Sequence, residues 1–151
     1  MTEQRTFFPL FVDISSRKAL VVGGGNVAER RIKVLASFGV NITVISPEVT
    51  EFIESSSLCL IKRKYREGDI AAMMPFLVIA ATDERQVNHS IMTESKSLNI
   101  YVSVADCREE CTFYFPAIAK NGNYTAGLVS KNGNHSGVKQ TAKKIRKVLN
   151  S

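Results

Sequence analysis

Leu20-Val21-Val22-Gly23-Gly24-Gly25-Asn26-Val27-Ala28 puts a strand, a tight turn and a helix start in direct succession. An apolar run ends in three glycines, and a helix-compatible segment follows at once. Without Cβ atoms the chain turns tightly there and brings its backbone against a ligand. The N–H groups opening the helix then point at that ligand, and the helix dipole favours negative charge. Gly23, Gly25 and Ala28 read as G-x-G-x-x-A, the dinucleotide fingerprint with alanine in third place. The expectation is a pyrophosphate cradle near the N-terminus.

The remaining chain repeats strand and helix signals in alternation. Ala19 to Val22 is apolar throughout, as in a parallel strand buried on both faces. Ala28, Ile32, Leu35 and Ala36 recur at helical spacing, and Gly39 supplies a glycine stop. Asn41 to Ile45 is a β-branched second strand, closed by Ser46-Pro47-Glu48 before a short helix over Val49 to Ile53. Leu58 to Ile61 and Phe76 to Ala81 predict two more strands. Thr82-Asp83 offers a cap for a helix within Glu84 to Leu98, and Ile100 to Val104 is a fifth strand, leading into Ala105-Asp106. Phe7 to Val12, interrupted by Pro9, reads as an N-terminal arm on the sheet edge.

This alternation predicts an α/β fold with a Rossmann-like parallel sheet. Ligands in such sheets bind at the carboxyl ends of the strands. Gly23 to Ala28, Ser46 to Glu48, Thr82-Asp83 and Asp106 all fall at such ends. The texture changes near residue 113. Lys120-Asn121-Gly122-Asn123 reads as a hairpin turn, Tyr124 to Val129 as a strand, Ser130 to Gly137 as a loop and Val138 to Leu149 as a basic helix. Residues 1–112 are thus expected to form the dinucleotide-binding domain. Residues 113–151 form a small C-terminal strand-plus-helix segment that would be buried against a second copy of the chain.

Composition removes several function classes. With 44% hydrophobic and 23% charged residues the chain has globular rather than disordered character. Its apolar runs are too short to span a bilayer and its N-terminus lacks a signal-peptide core, so a cytoplasmic protein without a membrane role is expected. Cys59, Cys107 and Cys111 form no disulfide framework. Cys107 and Cys111 with His89 or His135 make only a weak case for zinc, and no metal site is expected. The net charge of +6 comes without a nucleic-acid-binding motif. It favours an acidic small-molecule partner and not nucleic acid. Lys62-Arg63-Lys64 reads as a solvated edge.

Several segments together carry a family resemblance. They are Phe8-Pro9-Leu10-Phe11-Val12, Val21 to Ala28 with Glu29-Arg30, Val44 to Glu48, and Ile79 to Asp83 with Asn88. Val102 to Asp106, Phe115-Pro116-Ala117 and Val129-Ser130 complete the set. In this order the chain resembles the N-terminal module of siroheme synthases, the precorrin-2 dehydrogenase and sirohydrochlorin ferrochelatase family. The resemblance implies NAD-dependent removal of two electrons from precorrin-2, giving sirohydrochlorin, by a homodimer. Iron insertion into sirohydrochlorin is the alternative activity, and a non-catalytic dinucleotide or tetrapyrrole carrier the second alternative. Many members add a helical domain beyond the position of Ser151, and this chain is expected to lack it.

The resemblance also assigns roles. Asp106 matches the acid-base aspartate, with a turn or cap role as its plain alternative. Ser130 matches a substrate-side serine, whose alternative is a loop-closing hydrogen bond. His135 stands where the family has proline-containing loop sequence; it is a candidate substrate contact or a solvated loop residue. Gly23, Gly25, Asn26 and Val27 would hold the pyrophosphate, and Ser46, Pro47 and Glu48 the adenosine ribose, with Thr82 at the next strand exit. The usual ribose acid would end the second strand; here Ser46 stands there and Glu48 two residues later. NAD is therefore expected over NADP on Glu48 and the family, while Arg30 and Arg31 could take a 2′-phosphate or be helix-surface charge.

Overall fold

The computed structural model describes residues 5–151. It divides into a larger unit, Asp13–Phe113, and a smaller one in which Tyr114–Ser151 cluster with the arm up to Val12.

The larger unit runs β1 (Lys18–Val22), α1 (Asn26–Ala36), β2 (Asn41–Ile45), α2 (Glu51–Glu54), β3 (Cys59–Ile61), α3 (Asp69–Met73), β4 (Leu77–Ala80), α4 (Arg85–Ser97) and β5 (Tyr101–Val104). Its five strands lie in the order β3-β2-β1-β4-β5. All neighbours pair in parallel. The Rossmann-like α/β sheet expected from the sequence is therefore present, and its core follows from composition. Ala19 to Val22, Val44, Ile45 and Val78 to Ala80 are almost wholly buried, as strands covered on both faces must be. Val22 pairs with both Ile45 and Ala80. Three central strands thus end level, and the chain order reverses direction between β1 and β4. Such a switch point opens a crevice at the strand ends.

Helix α1 buries Ala28, Ile32 and Leu35 against this sheet, following its apolar spacing. Gly39 ends the segment at φ +71°, donating its amide to Ala36. Helix α3 has no counterpart in the sequence reading. It is only five residues long and lies between left-handed Gly68 and Met74, so periodicity had nothing to work on. Charge holds it instead. Arg63 grips Asp69 through both guanidinium nitrogens at 2.8 and 2.9 Å. The Glu94 carboxylate accepts the amides of Gly68 and Ala71 and the Tyr65 hydroxyl. Burial and that carboxylate push the Tyr65 hydroxyl far above its ordinary pKa, keeping it a donor. Arg63, read as part of a solvated edge, is therefore a half-buried brace.

Thr82-Asp83 does not cap α4. Glu84 occupies the cap position with no side-chain bond. The Thr82 hydroxyl turns inward to Asn88 Oδ1, 2.7 Å away, and Asn88 is fully buried. Asn88 also takes the Thr82 amide and donates to the Thr82 carbonyl. A buried side chain one turn into α4 thus closes the β4–α4 loop.

In the smaller unit β6 (Ala117–Lys120) and β7 (Thr125–Leu128) form an antiparallel hairpin, followed by α5 (His135–Leu149). Asn121 makes the turn, its Oδ1 accepting the amides of Asn123 and Tyr124. Helix α5 begins three residues earlier than its apolar pattern indicated, because the Asn134 side chain accepts the Gly137 amide and caps it. His135 is consequently the first helical residue and not part of a loop. The arm also departs from expectation. It forms no strand and groups with the tail, Phe7 stacking on Tyr114 at 3.7 Å between ring centroids. Pro9, which lacks an amide donor, suits this non-strand conformation.

Candidate functional site

The glycine turn is forced by its surroundings. Gly23 has φ +120°, and a Cβ there would lie 2.1 Å from the Ala81 carbonyl oxygen. A Cβ on Gly24 would lie 2.3 Å from the Glu48 carbonyl oxygen. Both positions exclude any side chain for reasons internal to the fold. Gly25 differs. A Cβ there would meet nothing within 4 Å, because Gly25 is exposed at the mouth of a cleft. It caps α1 without any side-chain hydrogen bond. The first-turn amides of α1 are left facing an open space that the glycine keeps clear, which is the arrangement an anionic phosphate needs.

That space is a cleft of about 760 Å³ lying across the carboxyl ends of β1, β2, β4 and β5. It gathers Gly23, Gly25, Asn26, Val27, Ser46, Pro47, Glu48, Thr82 and Asp106, so residues separated by up to about eighty positions converge on one rim. Their roles divide. Ser46 is buried, and its hydroxyl is committed to the Glu48 carbonyl oxygen at 2.6 Å; it braces the turn. Glu48 is exposed in the cleft, and among the described residues its carboxylate has no hydrogen-bond or ion-pair partner. Thr82 is tied to Asn88 and fixes the loop. Arg31, considered above for a 2′-phosphate, instead reaches Ser103 of β5 at 3.1 Å. Burial pulls its guanidinium below the ordinary pKa. Arg30 remains exposed on α1.

Asp106 follows β5 directly, held at the rim because the Ala105 amide donates to Ala80 on β4. Its side chain is 39% exposed. Asp106 Oδ1 accepts a 2.7 Å bond from Arg85 Nη1. The other arm of Arg85 contacts Glu110, and Glu110 in turn meets His89 Nδ1 at 2.7 Å. Partial burial works against the Glu110 charge, yet bonds from His89 and Arg85 bring its carboxyl below the ordinary range. Sequence reasoning missed Arg85 and Glu110. One signal was available: Arg85 and His89 stand one turn apart at the start of a helix whose loop borders the cleft.

Ser130 and His135 fall in the smaller unit. The Ser130 hydroxyl accepts the amides of Asn132 and Asn134, and His135 opens α5. Cys111 is buried with its sulfur against the backbone of Val104, which removes it from any metal set with Cys107. Among the described residues no group of three His, Cys, Asp or Glu side chains is placed to hold a metal ion. Among the same residues no helix is long and apolar enough to cross a membrane.

A doubly wound sheet with a glycine-opened helix at its switch point defines a dinucleotide-binding α/β protein. The chain belongs to the family described as "Putative NAD(P)-binding", whose model matches residues 10–117. It is 49% identical over 147 residues to the "Probable multifunctional siroheme biosynthesis protein HemA" of Ruminiclostridium josui, a match covering 93% of this chain and 28% of that protein. It is 38% identical over 130 residues to the siroheme synthase of Psychrobacter cryohalolentis, covering 83% and 24%. The chain therefore spans about a quarter of the length of these curated relatives. Among solved structures, SirC, a precorrin-2 dehydrogenase, superposes with a TM-score of 0.73 at 25% identity, over 93% of this chain and 70% of that one. The resemblance read from the sequence is thus met by sequence relatives and by fold.

Proposed function

We propose that this chain is an NAD-dependent dehydrogenase module that oxidises precorrin-2 to sirohydrochlorin, acting as a cytoplasmic homodimer. The observation that carries the reading is Asp106: an ionisable carboxylate on the rim of a cleft whose opposite wall is the glycine turn. A carrier needs no base beside its cofactor, whereas a dehydrogenase does. The names of the relatives support the substrate. Charge supports it too, since the substrate carries eight carboxylates. From Tyr114 to the C-terminus there are seven Lys and Arg and no Asp or Glu, so the net positive charge resides in the smaller unit.

In this reading the first-turn amides of α1 hold the pyrophosphate, Gly25 leaves room for it, and Glu48 accepts hydrogen bonds from the adenosine ribose. A carboxylate at that place favours NAD over NADP. NAD⁺ held there would supply the hydride acceptor. Asp106 takes the proton released as two electrons leave, so precorrin-2 and NAD⁺ give sirohydrochlorin, NADH and one proton. Ser130 and His135 are assigned to the substrate side, where the loop bonds of Ser130 would position rather than react. Exposed Tyr124, Val129 and Val148 supply apolar surface for the partner subunit.

Anaerobic incubation with precorrin-2 and NAD⁺, followed by absorbance, tests this directly. Sirohydrochlorin is expected with one NADH per turnover; its absence with both NAD⁺ and NADP⁺ would sink the assignment. Asp106→Asn should keep NAD binding and lose about 10²- to 10⁴-fold in kcat, the usual range for general acid-base catalysis.

A further inference from the structure

We infer that Arg85 is a positioning residue for Asp106, holding one carboxylate oxygen so that the other faces the cleft as proton acceptor. The inference rests on the reading of Asp106 as a base.

The geometry is a relay of four side chains. Arg85 Nη1 binds Asp106 Oδ1 at 2.7 Å, and among the described residues no hydrogen bond reaches Asp106 Oδ2. An exposed aspartate held at one point samples several rotamers. Here the donor is itself anchored, because the second nitrogen of Arg85 contacts Glu110. Glu110 is the least exposed member, at 18% of its side chain, and is fixed from a second direction by His89 Nδ1 at 2.7 Å. Arg85 and His89 leave the first two turns of α4. The orientation of Asp106 is thus referred to a helix and not only to its own loop.

A planar guanidinium suits this task better than an ammonium, since its two arms have fixed directions and engage two carboxylates at once. Charge gives a second consequence. Against partial burial, the bond to Glu110 and the charge of Asp106 hold the Arg85 guanidinium above its ordinary pKa, so it remains cationic across all working pH values. A permanent cation at 2.7 Å makes the bond to Asp106 Oδ1 a charge-assisted one, the stronger kind of hydrogen bond. Oriented catalytic groups lose up to about 100-fold on small displacements. The charged and titratable groups around Asp106 include Arg85 and His89 from α4, Cys107 and Glu110 from its own segment, and Lys64, Asp83 and Glu84 along the same cleft. Of these, Arg85 alone makes direct contact.

Two measurements on the full chain test the inference. The first needs no substrate: the side-chain rotamer populations of Asp106 are read at pH 7 from NMR three-bond couplings. Arg85→Met should average these couplings over several rotamers, and Arg85→Lys should average them less. Couplings unchanged in Arg85→Met overturn the inference, because Arg85 would then not orient Asp106. The second is a kinetic cycle with precorrin-2. Arg85→Met should lower kcat about 10- to 100-fold with the KM for NAD unchanged. Arg85→Lys should recover part of that loss, and Arg85→Met should cost little more once Asp106→Asn is present. Full additivity of the two losses overturns the inference. If Asp106→Asn is itself fully active, the base assignment fails while the NMR result still judges the contact. Should Arg85→Met not fold, Glu110→Gln, which removes the anchor of Arg85, should give a smaller loss of the same kind.

Discussion

A Cβ on Gly23 would lie 2.1 Å from the carbonyl oxygen of Ala81, so the turn after β1 and the exit of β4 fit together only without a side chain. Gly25, two residues on, has open space instead. The two glycines should therefore fail differently. Gly23→Ala combines backbone strain with a steric overlap, each worth about 1–3 kcal/mol, and should lower urea stability by a few kcal/mol. Gly25→Ala should keep the melting temperature within about 2 °C yet weaken NAD binding about tenfold or more, which is about 1.4 kcal/mol. Equal stability losses in both variants would contradict the division between a fold glycine and a ligand glycine.

Glu48 bears on the choice between NAD and NADP. Its carboxylate lines the cleft without a partner among the described residues. A hydrogen bond to a charged acceptor is worth about 1.5–3 kcal/mol. Glu48→Gln should weaken NAD binding about 10-fold while strengthening NADP binding, since the native carboxylate repels a 2′-phosphate. Calorimetric titration of both cofactors checks the ratio; an unaltered preference would remove Glu48 from the ribose site.

Acid stability should depend on Asp69. Its bond from Arg63 holds the carboxyl below the ordinary value, with burial opposing and the Arg66 amide adding to the effect. A depressed folded-state pKa contributes stability that is complete above the unfolded value, near 3.9, and lost as pH falls through the folded value. Asp69→Asn should cost about 1–2 kcal/mol at pH 7 after allowing for partial exposure. The gap to the native chain should narrow below about pH 4. A gap constant from pH 7 to pH 2 would show that the ion pair is not its source.

Lys139, Lys143 and Lys147 are exposed and spaced four apart on α5, so they lie along one face. Replacing all three by glutamine should lower kcat/KM for precorrin-2 about 3- to 10-fold at low salt and flatten its salt dependence, because steering acts on encounter. The kcat should not change. A lowered kcat with an unaltered salt slope would assign these lysines to something other than attraction of the substrate.

The sheet was legible because its signals are local: the apolar runs of β1 and β4, the spacing in α1, and Gly39. The cleft was legible because strand ends in this topology must share a rim. What escaped was held by distant side chains. Helix α3 depends on Arg63 and on Glu94, and Glu94 lies more than twenty residues from the amides it accepts. Arg85 meets Glu110 across twenty-five residues, and neither belongs to an apolar pattern. Ser46 and Thr82 were placed on the right rim, yet their hydroxyls face inward to Glu48 and Asn88, a matter of rotamer that spacing does not encode. The arm misled for the opposite reason. Its apolar letters fit a sheet edge, yet Phe8, Leu10 and Phe11 are exposed while Phe7 stacks on Tyr114.

β1 lies between β2 and β4, and its glycine turn is completed by Ala81. During synthesis β1 must therefore wait until some sixty further residues have emerged before its second neighbour exists. A nascent chain shorter than Ala81 has the fingerprint in its sequence and no cradle in space. Cofactor fluorescence on stalled chains of increasing length would then act as a clock for closure of the sheet, switching on as β4 docks.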